Sequence, residues 1–274
     1  MKLTKPLILL VALFFCSAGL VLTAQEEEKR PDYYVVTTLH WNMDMEDFSM
    51  KEWKAVEKEY LDKVIMKNEH IVGSSFFMHQ FTADNTELLY VQVFNTWNDI
   101  ELAADRNAEL AKEAWPDDDA RSAFFKKQSA YYSNHHSDEI YAIMDGAIPL
   151  AEMPKEDLTL YLRQNYFAAP EDGSMKEWKE LRGQFREKVL LKNEYIKGYY
   201  PSQHAYGSEA SQFNEAFYVN SVADLDKMLD RQGELFQEAF PDQDKREEMG
   251  KNMSKYFTGK HRDYIYTYVS GLSK

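Results

Sequence analysis

"SMKEWKAVEKEYLDKVIMKNEHIVG" fills residues 49–73, and "SMKEWKELRGQFREKVLLKNEYIKG" fills residues 174–198. The two segments agree at 13 of 25 positions without a gap, at an offset of 125. The same offset aligns Asp99 with Asp224, Asp105-Arg106 with Asp230-Arg231, and Trp115-Pro116-Asp117 with Phe240-Pro241-Asp242. It also lays "YYSNHHSDEIY" (131–141) over "YFTGKHRDYIY" (256–266). An unbroken register over this length marks a duplicated unit. Two copies are too few for a solenoid, so each copy is expected to be compact and to pair with its twin.

Within each copy the shared hexamer opens a helix. Met50, Trp53, Val56, Tyr60 and Val64 recur at spacings of three and four, and Met175, Trp178, Leu181, Phe185 and Val189 repeat that face. Ser49 and Ser174 are suitable N-caps, and Glu52 and Glu177 three residues on predict a capping box. Upstream, "YYVVTTLHW" (33–41) and "LTLYLRQNY" (158–166) are rich in β-branched and aromatic residues and read as strands. Downstream, "IVGSSFFMHQF" (71–81) and "ELLYVQVFN" (87–95) read as a hairpin. A helix from Asp99 is interrupted at Trp115-Pro116, where Asp117 can cap a second segment, and "DEIYAIM" (138–144) supplies a last strand.

Each copy therefore reads β-α-β-β-α-β, the ferredoxin-like order. Its sheet carries helices on one face and leaves the other bare, and a tandem copy supplies the missing cover. On this order, the tandem pairing and the helix-borne Trp53 and Trp178, the chain resembles the dimeric α+β barrel superfamily. That group includes small monooxygenases, polyketide cyclases, stress-response proteins and NIPSNAP-type proteins. The resemblance implies an α+β pseudodimeric barrel over residues 31–145 and 158–272, joined by a linker at 146–157. It also implies a site inside a barrel cavity.

Composition narrows the function. The chain carries a net charge of −14, and loss of Lys2 and Lys5 with residues 1–24 takes it to −16. No basic run offsets this, which excludes a phosphate-backbone binder. Residues 1–24, "MKLTKPLILLVALFFCSAGLVLTA", have a basic start, an apolar run and small residues, the layout of an export signal. A lipoprotein through Cys16 and an uncleaved anchor are the alternatives. Cys16 is the single cysteine, so the remainder has no disulfide and no thiolate chemistry. Beyond residue 24 no apolar run is long enough to span a bilayer. The exported portion is thus expected to be no integral membrane protein, and internal pairing makes a monomer the simplest assembly.

Alternation along the first strand predicts that Tyr34, Val36, Thr38, His40 and Asn42 face the barrel interior. The offset of 125 matches them with Thr159, Tyr161, Arg163, Asn165 and Phe167. Ligand-binding candidates are therefore Tyr161, Arg163, Asn165, Thr38 and Glu215, the last as the counter-ion that a strand-borne Arg163 requires. Catalytic candidates are the histidines suited to acid–base work: His79 and His204, which match across the copies, and His40. His136 and His261 match too, each two residues before an Asp, and read as turn-bonded residues. Nucleotide-loop and metalloprotease motifs are absent, and "PDDDA" (116–120) reads as a capped helix start rather than a metal loop. No metal or cofactor is predicted, with a haem held by one histidine as the alternative that the resemblance raises. Three functions follow: binding of a small, partly aromatic or apolar molecule in the cavity; a cofactor-independent or haem-dependent monooxygenase or cyclase; and a structural or partner-binding protein with a filled barrel.

Overall fold

The computed structural model describes residues 30–274; the segment expected to be an export signal, with Cys16, lies outside the described residues. The first repeat runs β1 (Tyr33–Trp41), α1 (Met50–Lys63), β2 (Gly73–Phe81), β3 (Glu87–Phe94), α2 (Trp97–Ala114), α3 (Asp118–Ser129) and β4 (Tyr132–Ile143). The second runs β5 (Leu158–Phe167), α4 (Met175–Lys188), β6 (Gly198–Tyr206), β7 (Gln212–Val219), α5 (Val222–Ala239), α6 (Gln243–Ser254) and β8 (Phe257–Tyr268). Single 3-10 turns at Ile65–Lys67 and Leu190–Lys192 close the first helix of each repeat.

All eight strands join one closed antiparallel barrel in the order β1-β3-β2-β8-β5-β7-β6-β4. Each repeat contributes four neighbouring strands, and the repeats meet where β2 pairs β8 and β4 pairs β6. Phe77 lies opposite Tyr268 at one seam, and Ile143 opposite Ser202 at the other. These are the same pairs related by the offset of 125, so the barrel has a pseudo-twofold axis. Closure removes the free sheet edges that tandem ferredoxin-like units would otherwise expose. The α+β pseudodimeric barrel expected from the sequence is the fold observed.

The helices pack outside. Trp53, Val56, Glu57 and Leu61 form the buried face of α1, and Trp53 sits between Trp41 of β1 and Phe76 of β2. Trp178 repeats this against Phe167 and Phe213. The oxygen of Ser49 accepts from the Glu52 amide and that of Ser174 from the Glu177 amide, as the hexamer predicts. The reciprocal half of the box does not form. Glu177 instead accepts from Tyr256 at 2.6 Å and pairs with Lys255. The full capping box is at Thr96 and Asp99, which open α2. Asp117 caps α3 through the Ala120 amide at 2.8 Å, after the break at Pro116.

One register expectation fails, with consequences for the site. Tyr33 lies opposite Phe94, whereas Val219, the match of Phe94, lies opposite Thr159. The first strands are therefore related by 126, not 125, because the second repeat has one residue fewer between its strand and its helix. A one-residue slip moves every side chain to the other face of a strand. Tyr34, Val36 and Thr38 do face the interior, but their partners in β5 are Leu160, Leu162 and Gln164. Arg163 and Asn165 point outward, beneath the helices of the second repeat.

Candidate functional site

The barrel is hollow, with a cavity of about 1230 Å³. That space contradicts the filled-barrel expectation. Its two flanks descend from matching sequence yet differ in chemistry. On one flank Phe77, Leu89, Leu160, Tyr266 and Tyr268 form a buried apolar cluster. At the matching positions opposite, Ser202, Asn214 and Tyr34 replace Phe77, Leu89 and Leu160, Tyr141 matches Tyr266, and Ile143 replaces Tyr268. Divergence of an ancestrally symmetric interior leaves one greasy wall and one hydrogen-bonding wall.

The polar wall is continuous. The Tyr141 hydroxyl gives its one proton to Glu139 and lies 3.1 Å from the Gln212 side-chain oxygen. Gln212 donates to Asn214 at 3.1 Å, and Asn214 in turn interacts with Tyr34 and Tyr141. Tyr34 shares a 2.6 Å hydrogen bond with Ser202 and stacks on Tyr141 at 5.2 Å. Glu139 is further held by Ser208, whose hydroxyl donates at 2.6 Å. Across the axis the corresponding bond is Tyr266 to Glu87 at 3.0 Å.

The electrostatics separate these groups. Burial pushes Glu139 up, but hydrogen bonds from Ser208 and Tyr141 outweigh it and hold the carboxyl below its ordinary value. Glu139 is therefore an anion at neutral pH, a proton acceptor lining the cavity. Burial raises Tyr34 to about 12, and burial with the Glu139 carboxylate lifts Tyr141 well above its usual range. Both phenols stay protonated; Tyr141 gives its proton to Glu139, and Tyr34 can donate to charge developing on a bound molecule.

The sequence-predicted residues fall in several places. Thr38 lines the barrel cavity. Arg163, Asn165 and Glu215 do come together, but in a separate cavity of about 610 Å³ between the second repeat's sheet and its helices. The expected ion pair is present, with Arg163 Nη2 2.7 Å from Glu215 Oε2. Tyr161 lies behind it, stacked on Phe217 and donating to Asp263 at 2.5 Å. None of the three candidate histidines lines either cavity. His40 packs on His135 and approaches Asp84 at 3.3 Å, and His79 bonds Thr82 at 2.7 Å. His204 lies opposite Tyr141 in the seam, within electrostatic reach of Glu139, with its Nε2 buried and unpartnered. His136 and His261 are exposed beside Asp138 and Asp263, but they lie within β4 and β8 and do not bond a turn as the sequence reading expects.

Sequence reasoning missed Glu139, Tyr141, Gln212 and Asn214. The signal was available: at the offset of 125, Asn214 replaces Leu89 and Ser202 replaces Phe77 inside strands that are otherwise alike.

A haem held by histidine does not fit this donor set. Among the described residues, neither cavity is lined by His or Cys. Phenolate ligation is disfavoured as well, because burial raises Tyr34, Tyr141, Tyr199 and Tyr218. Nor do three or more His, Cys, Asp or Glu converge on a metal-sized space among the described residues. Among those residues no helix is long and apolar enough to cross a membrane.

No protein-family model and no curated protein matches the chain. Solved structures do. A protein from Lactobacillus acidophilus, provisionally named a monooxygenase, superposes with a TM-score of 0.54 at 7% identity, covering 88% of this chain and 94% of its own. A second protein of that provisional name, from Fusobacterium nucleatum, gives 0.51 at 10% over 88% and 93%. A variant chlorite dismutase from Candidatus Nitrospira defluvii gives 0.53 at 9% over 89% and 94%. These neighbours carry the names of enzymes, and that corrects the leading expectation of a protein that only binds a small molecule in favour of its enzymatic alternative. At such identity the likeness concerns the fold: the chain is a dimeric α+β barrel, built as a tandem pseudodimer within one polypeptide.

Proposed function

We propose that the chain is an enzyme that removes a proton from an enolisable or phenolic aromatic substrate held in the barrel cavity. This step is shared by cyclisation and by cofactor-independent oxygenation with dioxygen, the two chemistries the resemblance implies. The observation that carries the reading is the one-sided interior. The apolar wall of Phe77, Leu89 and Leu160 accepts the substrate's ring system, and the opposite wall fixes its oxygen.

Each polar residue then has a role. Glu139, ionised and lining the cavity, takes the proton. Tyr141 holds that carboxylate through its hydroxyl and is itself positioned by Gln212. Tyr34 and the Asn214 amide are the donors for the enolate or phenolate oxygen that forms. The enzyme names of the structural neighbours support this reading. The test is turnover of a panel of hydroxylated polycyclic aromatics and aromatic β-diketones under dioxygen, followed by mass spectrometry. A product that has gained one oxygen and lost two hydrogens, with the second oxygen of dioxygen leaving as water, or a product that has lost water, supports the proposal; no turnover of any member opposes it.

Export is part of the same proposal, resting on the layout of residues 1–24. Internal closure of the barrel supports a monomeric enzyme. N-terminal sequencing and native mass of the secreted product check both.

A further inference from the structure

The second repeat contains a cavity that its twin does not. In the first repeat the space between sheet and helices is filled by Tyr60, Trp115, Phe124 and Phe125, with Trp115 stacked on Phe124 at 4.0 Å. The offset of 125 replaces Phe125 with Gly250, Phe124 with Met249 and Lys58 with Gly183. Those residues line the helix-side cavity, and beyond Gly183 or Gly250 nothing lies within 4 Å of where a Cβ would stand. The cavity exists because bulky side chains are missing, and the walls that remain are apolar: Phe185, Phe213, Phe236, Met249, Met253 and Phe257.

Its polar groups have an excess of positive charge. Lys179, Arg163, Arg182 and Arg186 line it against Glu215 and Asp145, in a chain whose net charge is −14. Two of the guanidinium groups are engaged: Arg163 by Glu215, and Arg186 by the Gly146 carbonyl at 2.8 Å. Arg182 is different. It lies over the rings of Trp178 and Phe213 at 4.7 and 5.1 Å and donates to the Tyr199 hydroxyl at 3.1 Å. It makes no direct ion pair among the described residues, although Glu215 lies within its electrostatic reach beyond Tyr199.

A second observation is independent of that cation. In the first repeat Trp53 Nε1 donates to Tyr132 at 2.7 Å. In the second, Phe257 stands in place of Tyr132, and the fully buried Trp178 Nε1 has no partner. A buried donor without an acceptor is costly, and the first repeat avoids that cost through Tyr132. The residue that leaves it unpartnered is itself a wall of the cavity.

We infer that this helix-side cavity is a second ligand site, which takes a small organic carboxylate with an aromatic or branched apolar body. The carboxylate pairs with Arg182, and the body lies among the Phe and Met walls. Arg182 is a half-buried guanidinium presented in a fork geometry that suits a carboxylate. The site is separate from the barrel cavity and does not depend on the proposed reaction.

The test is calorimetric titration of the secreted protein with 4-phenylbutyrate and with 4-phenylbutanamide, its neutral analogue. Wild type is expected to bind the carboxylate at least about tenfold more tightly than the amide, the scale of one charge-assisted hydrogen bond. Arg182→Gln should remove that preference. Gly250→Phe, which restores the first repeat's residue, should abolish binding of both while the protein still melts cooperatively. Equal affinity for acid and amide, no binding at millimolar probe, or binding unchanged in Gly250→Phe would each overturn the inference. The last result would place the probe elsewhere, in the barrel.

Discussion

The hydroxyl of Tyr141 in the first repeat donates to Glu139 and lies across the seam 3.1 Å from the side-chain oxygen of Gln212 in the second. The symmetry-related bond runs from Tyr266 to Glu87 at 3.0 Å. One ancestral contact has become two unlike ones: a tyrosine between a carboxylate and an amide, and a tyrosine on a carboxylate alone. Tyr141→Phe should therefore release Glu139 and lower turnover about 10²-fold, whereas Tyr266→Phe should leave turnover within a few-fold. A pH–rate profile separates positioning from structural damage. Losing the Tyr141 bond removes one of the interactions that depress the Glu139 pKa, so the acid limb should move to higher pH.

Arg163 and Glu215 form a half-buried ion pair in which both guanidinium contacts, at 2.7 and 3.0 Å, fall on one carboxylate oxygen. The other oxygen accepts from Tyr199 at 2.7 Å. Burial is the largest single influence on Glu215 and pushes it up, yet the Arg163 charge, the Tyr199 hydrogen bond and the Arg182 charge together outweigh it and hold the carboxyl below its ordinary value. Arg163→Met should cost about 3–5 kcal/mol, because it leaves a buried charge with fewer partners. Arg163→Met combined with Glu215→Leu should recover much of that loss, which urea denaturation of the four variants would reveal.

The two tryptophans offer an internal control. Phe257→Tyr would place a hydroxyl where Tyr132 has one, give Trp178 Nε1 an acceptor, and stabilise the fold by about 1 kcal/mol. For a chain of this size that corresponds to a rise in Tm of about 2–4 °C. Tyr132→Phe should do the opposite and cost about 1–3 kcal/mol, since it strands both the Trp53 donor and a Glu57 oxygen.

Glu57 predicts a pH dependence of stability. It is buried under α3, where it accepts from Tyr132 at 2.7 Å and Gln128 at 2.9 Å. Burial dominates and raises its pKa from 4.5 to about 6. The folded state thus binds this proton more tightly than the unfolded chain. Its contribution is complete below about pH 4.5 and fades as pH rises through 6, by about 2 kcal/mol. Glu57→Gln should flatten the Tm–pH curve across that window, with thermal melts in a pH series as the measurement.

The architecture was legible because it is written in coarse features. A repeated capped helix, period-2 strands and a proline break survive any detail of packing. The site was less legible because it depends on strand parity. The hexamer sets the offset of the helices at 125, but the shorter loop before Ser174 shifts β5 by one residue and sends Arg163 and Asn165 out of the barrel. The proposed base was missed for a different reason. Glu139 is one acid among many in an acidic chain, and although Tyr141 stands two residues on along the same strand, only the closed barrel brings Ser208 and Gln212 against the pair. The duplicated histidines drew attention by their matching, yet they mark the barrel's seams and the exposed stretches of its last strands rather than its cavities.

The most direct measurement is the single-turnover rate of Glu139→Gln on whichever aromatic substrate the wild-type enzyme converts, at saturating substrate and neutral pH. The amide preserves the shape and the bond to Tyr141 but cannot accept the proton. A fall of about 10²-fold or more, with substrate binding retained, is the predicted result. A rate equal to that of wild type would contradict proton abstraction by Glu139 in the barrel.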